Sequence, residues 1–193
     1  MIRYQITRYQ PNGNNNSNLP QYKVIAFDFD QTIICCHSIM ADWTPQTVER
    51  MTIPQIVQVT SPLFNNPQFL QYLKMQHQTN GARFVVTSYG SKPVIEAFLR
   101  RLGILYLFDA VMTPSVFGLL DGYNVFTELN GKNVMLERIA THYGISQSQI
   151  LLLDDSPGNI NTAKASKYPA VQVNPTRGLT ISEGYIIEKF LRN

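Results

Sequence analysis

Val24-Ile25-Ala26-Phe27-Asp28-Phe29-Asp30-Gln31-Thr32 runs from four apolar residues into two carboxylates and a hydroxyl. A short apolar run of this kind is the pattern of a strand buried on both faces. Side chains alternate with a period of two along an extended chain, so Asp28 and Asp30 are expected on one face. Two like charges that close imply a cation or a raised pKa. On this stretch alone, an acidic turn at a strand end and a chemical site stand level; the rest of the chain separates them.

From Lys23 onward, short apolar runs alternate with helical patterns, which predicts a parallel sheet wrapped by helices. Strands are expected over 24–28, 83–87, 110–112, 150–154 and 170–173. A helix opened by Asn66-Pro67 would place Phe69, Leu70 and Leu73 on one face and stop at Asn80-Gly81. Ser91 and Pro93 supply an N-cap and an early proline for a second helix, and 132–143 and 157–165 read as two more. Two stretches do not fit the alternation. Residues 33–63, with Trp43 and three prolines, read as a short flap carrying one or two helices, and Asp121-Gly122 inside 116–129 signals a hairpin.

The 193 residues suit one domain, over 21–193, behind a polar leader over 1–20 whose Asn-rich stretch buries too little to order itself. Lys+Arg 16 against Asp+Glu 13 gives a net charge of only +3, and no basic run appears, so no nucleic-acid footprint is present. Cys35 and Cys36 are adjacent and cannot staple a fold, which favours a reducing, cytoplasmic setting. No apolar run resembles a signal peptide or approaches a membrane span. His37, His77 and His142 lack metal-ligand spacing.

Ligands of open parallel sheets bind beyond the carboxyl ends of the strands, so polar residues should collect there. The first strand ends in Asp28 and Asp30, the second in Thr87-Ser88, and the fourth in Asp154-Asp155-Ser156; Lys132 opens the helix between them. Singly, each has a structural use: Thr87 a strand-end hydroxyl, Lys132 a solvated helix start, Asp154-Asp155 an N-cap with a first-turn acid. Their joint order is the specific signal.

That order resembles the haloacid dehalogenase (HAD) superfamily of phosphatases over residues 23 to about 175. Asp28-Phe29-Asp30-Gln31-Thr32 looks like the first motif, with Gln31 where glycine is commoner; Phe84-Val85-Val86-Thr87 looks like the second, Lys132 the third, and Leu151 to Pro157 the fourth. The resemblance implies an α/β, HAD-like Rossmannoid three-layer sandwich, a central parallel sheet flanked by helices with little or no cap. It implies that Asp28 attacks phosphorus to form an aspartyl-phosphate, with Asp30 as general acid and base. It further implies Mg²⁺ held by Asp28, the backbone carbonyl of Asp30, and Asp155, with Asp154 and Thr32 in support and with Thr87, Ser88 and Lys132 on the phosphate. A carboxylate ionised at neutral pH needs no activating base, and clustered acids suit a hard cation, so elementary chemistry agrees.

An uncapped site is open and would admit a phosphorylated protein side chain, and the aromatic residues beside the motifs favour phosphotyrosine. The motif series also resembles capless magnesium-dependent protein tyrosine phosphatases, and the Asn-rich leader is compatible with a bacterial effector acting on host signalling proteins. A small-molecule phosphatase on the same scaffold is the alternative within the class; a catalytically silent phospho-ligand module is the alternative outside it. Dehalogenase chemistry has no use for Asp30, and the order of motifs differs from that of a response-regulator receiver.

Overall fold

The computed structural model describes residues 22–66, 68–69, 72, 82–122 and 125–193. The expected leader over 1–20 and nearly all of the helix expected over 66–80 lie outside these residues. Five strands, β1 (Lys23–Phe27), β2 (Ala82–Thr87), β3 (Ala110–Met112), β4 (Ile150–Asp154) and β5 (Ala170–Gln172), form one sheet in the order β3-β2-β1-β4-β5. Every pairing is parallel, and Ile25 lies opposite both Phe84 and Leu151. The chain moves outward from β1 through β2 to β3, then returns to β1's other side for β4 and β5. The crevice where that order reverses opens at the carboxyl end of β1.

Strand periodicity decides the three layers. Ile25 and Phe27, with Phe84, Val86, Leu151 and Leu153, join one core, while Val24, Ala26, Val85, Ile150 and Leu152 join the other. The first core is covered by α1 (Pro45–Arg50), α2 (Ile53–Val59), α3 (Lys92–Arg101) and α6 (Ile181–Arg192). The second is covered by α4 (Asn133–Tyr143) and α5 (Pro157–Ala165). Phe27 anchors the first core edge-to-face against Phe64, Phe84 and Phe108, with ring centroids 5.6 to 5.9 Å apart. Edge-to-face contacts add about 0.5–1.5 kcal/mol per pair to the burial itself.

The segment over 33–63 contains the short helices α1 and α2, each opened by a threonine capping box and an early proline. Both helices lie along α3: Trp43, just before α1, stacks on Phe98 with centroids 5.6 Å apart, and Arg101 donates to the Met51 carbonyl. Trp43 is therefore a packing residue.

The hairpin expected over 116–129 is not seen among the described residues. Among the described residues this stretch is a 3₁₀ turn (Pro114–Phe117) followed by further turns, without a strand. Asp121 is the reason: its carboxylate accepts from the Ser115 amide at 2.8 Å, the Thr113 hydroxyl at 3.2 Å and the Lys92 amide at 3.1 Å. It thereby folds the loop onto the start of α3, where Ser91 occupies the N-cap position without a capping side-chain bond. Among the described residues no helix is long and apolar enough to cross a membrane.

Candidate active site

β1 ends one residue before Asp28, and its neighbour β4 accepts the Asp28 amide at the Leu153 carbonyl, 2.8 Å away. Beyond it the chain makes a single wide turn over Phe29–Ile33, closed by the Ile34 amide on the Phe29 carbonyl. Gln31 sits there at φ 57°, ψ 12°, a left-handed conformation that glycine adopts without strain. This turn replaces the extended chain that the expectation of a shared face assumed. Asp28 faces the sheet end, whereas Asp30 turns to the segment after it and accepts the Ser38 amide at 2.6 Å, with His37 Nδ1 at 4.0 Å.

Lys132 is the hub. It precedes α4 yet is only 1% exposed, and its ammonium donates to Asp28 Oδ1, to Asp154 Oδ2 at 2.6 Å and to the Thr87 carbonyl at 2.7 Å. Its three protons thus tie together the ends of β1, β2 and β4. Burial alone would lower the Lys132 pKa, but the carboxylates of Asp154 and Asp28 outweigh it and hold the pKa above the ordinary lysine value. Burial raises the Asp28 carboxyl well above the usual range; the Lys132 charge opposes this, and Asp154 and Asp30 add to it. Asp155, half-buried, is raised by burial and then by Asp154.

Asp154 is fully buried and held from three sides. Besides Lys132, the Ser156 amide donates to Oδ1 at 2.9 Å, and Asn159 Nδ2 spans both oxygens at 3.1 Å. Asn159 in turn accepts the Tyr89 hydroxyl at 3.0 Å, and the Lys132 ammonium lies 5.5 Å from the Tyr89 ring centre. The phenol is raised by burial, against the nearby Lys132 charge. Asn159, Tyr89 and Ser38 are structural partners that spacing along the chain does not announce. A weak signal existed for Tyr89, an aromatic residue directly after Thr87-Ser88, and for Asn159, which falls three residues after the α5 N-cap Ser156.

The expected phosphate-binding residues also meet here. Thr87 is buried, and its Oγ1 has no hydrogen-bond partner among the described residues. Such an orphaned hydroxyl costs stability unless a ligand satisfies it. Ser88 is buried beside it, and its Oγ accepts the Gly90 amide at 3.0 Å. A Cβ on Gly90 would stand 3.2 Å from that oxygen and 3.4 Å from Asp30 Oδ2, so the smallest residue keeps this wall open. The hydroxyl of Thr32 is likewise buried without a partner, while its carbonyl accepts the Leu179 amide at 3.0 Å. Gly178, at φ 61°, makes that approach possible: a Cβ there would lie 2.8 Å from the Thr32 carbonyl oxygen.

One carboxylate oxygen from each of Asp28, Asp154 and Asp155 lies within 4.8 Å of the others. The expected ligand pair Asp28 and Asp155 is in that group; the Asp30 side chain is not. This all-oxygen donor set suits a hard divalent cation, whose charge would oppose the burial that raises the Asp28 and Asp155 carboxyls.

The model of haloacid dehalogenase-like hydrolases matches residues 45–158, more than half of the sequence. The chain belongs to this family. The matched stretch contains Thr87, Lys132, Asp154 and Asp155 and begins after Asp28 and Asp30. No curated protein matches the sequence. Among solved structures, the HAD domain of the Legionella pneumophila effector protein Lem4 superposes with a TM-score of 0.57 at 14% identity, covering 88% of this chain and 95% of that one. A predicted HAD-like family hydrolase from Porphyromonas gingivalis gives a TM-score of 0.52 at 17% identity, with 90% and 99% covered. A dehalogenase with an intermediate complex gives 0.51 at 10% identity, with 81% and 87% covered. Likenesses at these identities speak for the fold and leave the reaction to the residues of this HAD-family hydrolase.

Proposed function

We propose that this hydrolase is a magnesium-dependent phosphatase that opens phosphomonoesters through an aspartyl-phosphate on Asp28, with phosphotyrosyl protein as its substrate class. The observation that carries the reading is the buried Lys132 ammonium between Asp28 and Asp154, beside the unpartnered Thr87 hydroxyl. Together they offer one nucleophilic oxygen and two groups suited to a phosphoryl anion. Dehalogenation would leave Asp30 without a task, although it too lies in the crevice.

Asp28 and Asp155 would hold Mg²⁺, together with the Asp30 carbonyl that the family resemblance implies. When bound, the ion neutralises charge on the phosphate oxygens and favours the ionised form of Asp28. The remaining work falls to side chains of this protein. The Thr87 hydroxyl receives one phosphoryl oxygen, and Lys132, held by an Asp154 that Asn159 braces, turns to another the proton that it gives to Asp28 in the resting site. The Asp28 oxygen attacks phosphorus as the ester oxygen leaves with a proton from Asp30. Asp30 then takes a proton from the water that hydrolyses the aspartyl-phosphate, which returns both residues to their starting states.

The phosphotyrosine preference is supported by the placement of α1 and α2 along α3, which leaves no separate enclosing module among the described residues. An open site favours a side chain on a protein over a small metabolite, and a phenol with a pKa of about 10 leaves more readily than an alkoxide. Phosphate release is to be measured from p-nitrophenyl phosphate and from phosphotyrosyl, phosphoseryl and sugar phosphates, with Mg²⁺ and with chelator. Metal-dependent release that favours phosphotyrosyl peptides and falls by about a thousandfold or more in Asp28→Asn is expected. Release that survives Asp28→Asn would sink the nucleophile assignment. A preference for sugar phosphates would move the assignment to a small-molecule phosphatase, and binding without turnover would leave a phospho-ligand module.

A further inference from the structure

Two tight loops stand at the mouth of the site and display apolar side chains that the chemistry does not use. The first, over 37–42, is tied to itself by the Asp42 amide on the Ile39 carbonyl and by the Trp43 amide on the Ser38 carbonyl, both at 3.1 Å. It is tied to the site by the Ser38 amide on Asp30. On it Ile39 is 41% exposed and Met40 84%. The second, over 118–122, is held by the Asp121 carboxylate and by the Gly122 amide, which donates to the Tyr89 carbonyl at 2.7 Å. On it Leu120 is 70% exposed. The loops meet where a Cβ on Gly122 would lie 3.7 Å from Ile39 Cδ1. One loop is thus anchored on Asp30 and the other on the tyrosine packed against Lys132.

Apolar side chains concentrated at the rim of a polar site mark a contact surface for a ligand. The two loops carry Asp42 and Asp121 and no lysine or arginine, which disfavours an anionic membrane surface. Their exposure offers a small metabolite little enclosure. We propose that Ile39, Met40 and Leu120 form a specificity rim that receives a bulky apolar side chain next to the phosphorylated residue of a protein substrate. This deepens the phosphatase assignment and rests on it. Because the Ser38 amide of the 37–42 loop also donates to the Asp30 carboxylate, a side chain seated on Ile39 and Met40 steadies the loop that orients the proton donor. Selectivity is therefore expressed in kcat/KM, beyond ground-state affinity.

The test uses three phosphotyrosyl peptides that differ only in the residues beside the phosphotyrosine, which are Leu, Ser or Lys-free acidic pairs of Glu. With Mg²⁺ present, the wild-type protein is expected to favour the Leu-flanked peptide over the Ser-flanked one by about tenfold in kcat/KM, the effect of burying part of one apolar side chain. The double variant Met40→Lys with Leu120→Lys is expected to lose that preference and favour the Glu-flanked peptide, a gain that misfolding cannot produce. The milder pair Met40→Ser and Leu120→Ser should abolish the Leu preference alone. Equal kcat/KM for the three peptides with the wild-type protein would overturn the rim while leaving the phosphatase assignment standing. Failure to release phosphate from any peptide or from p-nitrophenyl phosphate would overturn both. Faster turnover of vesicle-borne phosphoinositide than of the Leu-flanked peptide would replace the protein substrate with a lipid.

Discussion

At the carboxyl end of the sheet Lys132 is almost wholly buried and shared among Asp28, Asp154 and the Thr87 carbonyl, whereas at the amino end the charged groups are part-exposed and loosely paired. There Lys23 donates to the Phe190 carbonyl at 2.7 Å, capping the last turn of α6, and Arg83 Nε stands 3.6 Å from Asp109. Asp109 also accepts the Tyr143 hydroxyl at 3.0 Å. Charge at the amino end satisfies local geometry under solvent screening. Charge at the carboxyl end is held away from water at the cost of desolvation, with threonine hydroxyls left over. Buried charge gathered with unpartnered hydroxyls is the arrangement expected where a ligand binds, so the contrast supports the proposed site on grounds separate from any family likeness.

The contrast breaks most visibly at its hub. Lys132→Met should leave Asp28 and Asp154 without their counter-charge, lowering stability by about 3–5 kcal/mol in denaturant melts and abolishing phosphate release. Thr87→Val separates stability from function: removing an unpartnered buried hydroxyl should leave the melting temperature unchanged or raise it, while kcat/KM falls by about a hundredfold.

Acid titration probes the same end. Burial raises Asp28 well above, and Asp155 above, the ordinary carboxylate value, so the folded protein holds more protons than the unfolded one from about pH 4 up to those raised values. Stability of the metal-free protein therefore falls as pH rises through that window and levels off above it. Mg²⁺ should raise the melting temperature at neutral pH and progressively less toward acid, and Asp28→Asn should flatten the metal-free profile. A melting temperature indifferent to Mg²⁺ at neutral pH would count against the metal site. At the amino end Arg83→Ala should cost under about 1 kcal/mol and leave turnover intact.

The smallest effect is expected at Gln31, whose positive φ is the structural counterpart of the glycine commoner at this motif position. Gln31→Gly relieves left-handed strain and loosens the unfolded chain, two opposing contributions that should net to a gain of under about 1 kcal/mol in thermal melts.

The five strands were legible within a residue or two because their apolar runs are bounded by turn residues and helical stretches. The polar residues at the strand ends were legible as a series because a parallel sheet gathers the carboxyl ends on one side. The 116–129 stretch misled because Asp121-Gly122 carries a hairpin signal, while its carboxylate found better partners at Ser115, Thr113 and Lys92. The wide turn after β1 was also illegible, since alternation along an extended chain does not announce where the strand gives way.

By itself, then, the sequence determined the positions of the five strands and of the helices α3, α4 and α5, and the identity of the residues that end each strand, through periodicity and punctuation acting over a few neighbours. Only the tertiary structure decided that Lys132, 104 residues from Asp28, is buried against it, that Asn159 and Tyr89 brace Asp154, and that the two exposed loops meet at the mouth. Those pairings depend on crossover connections and on which way each side chain leaves its strand end. Such directions are set by packing across the whole fold, over distances that no local pattern spans.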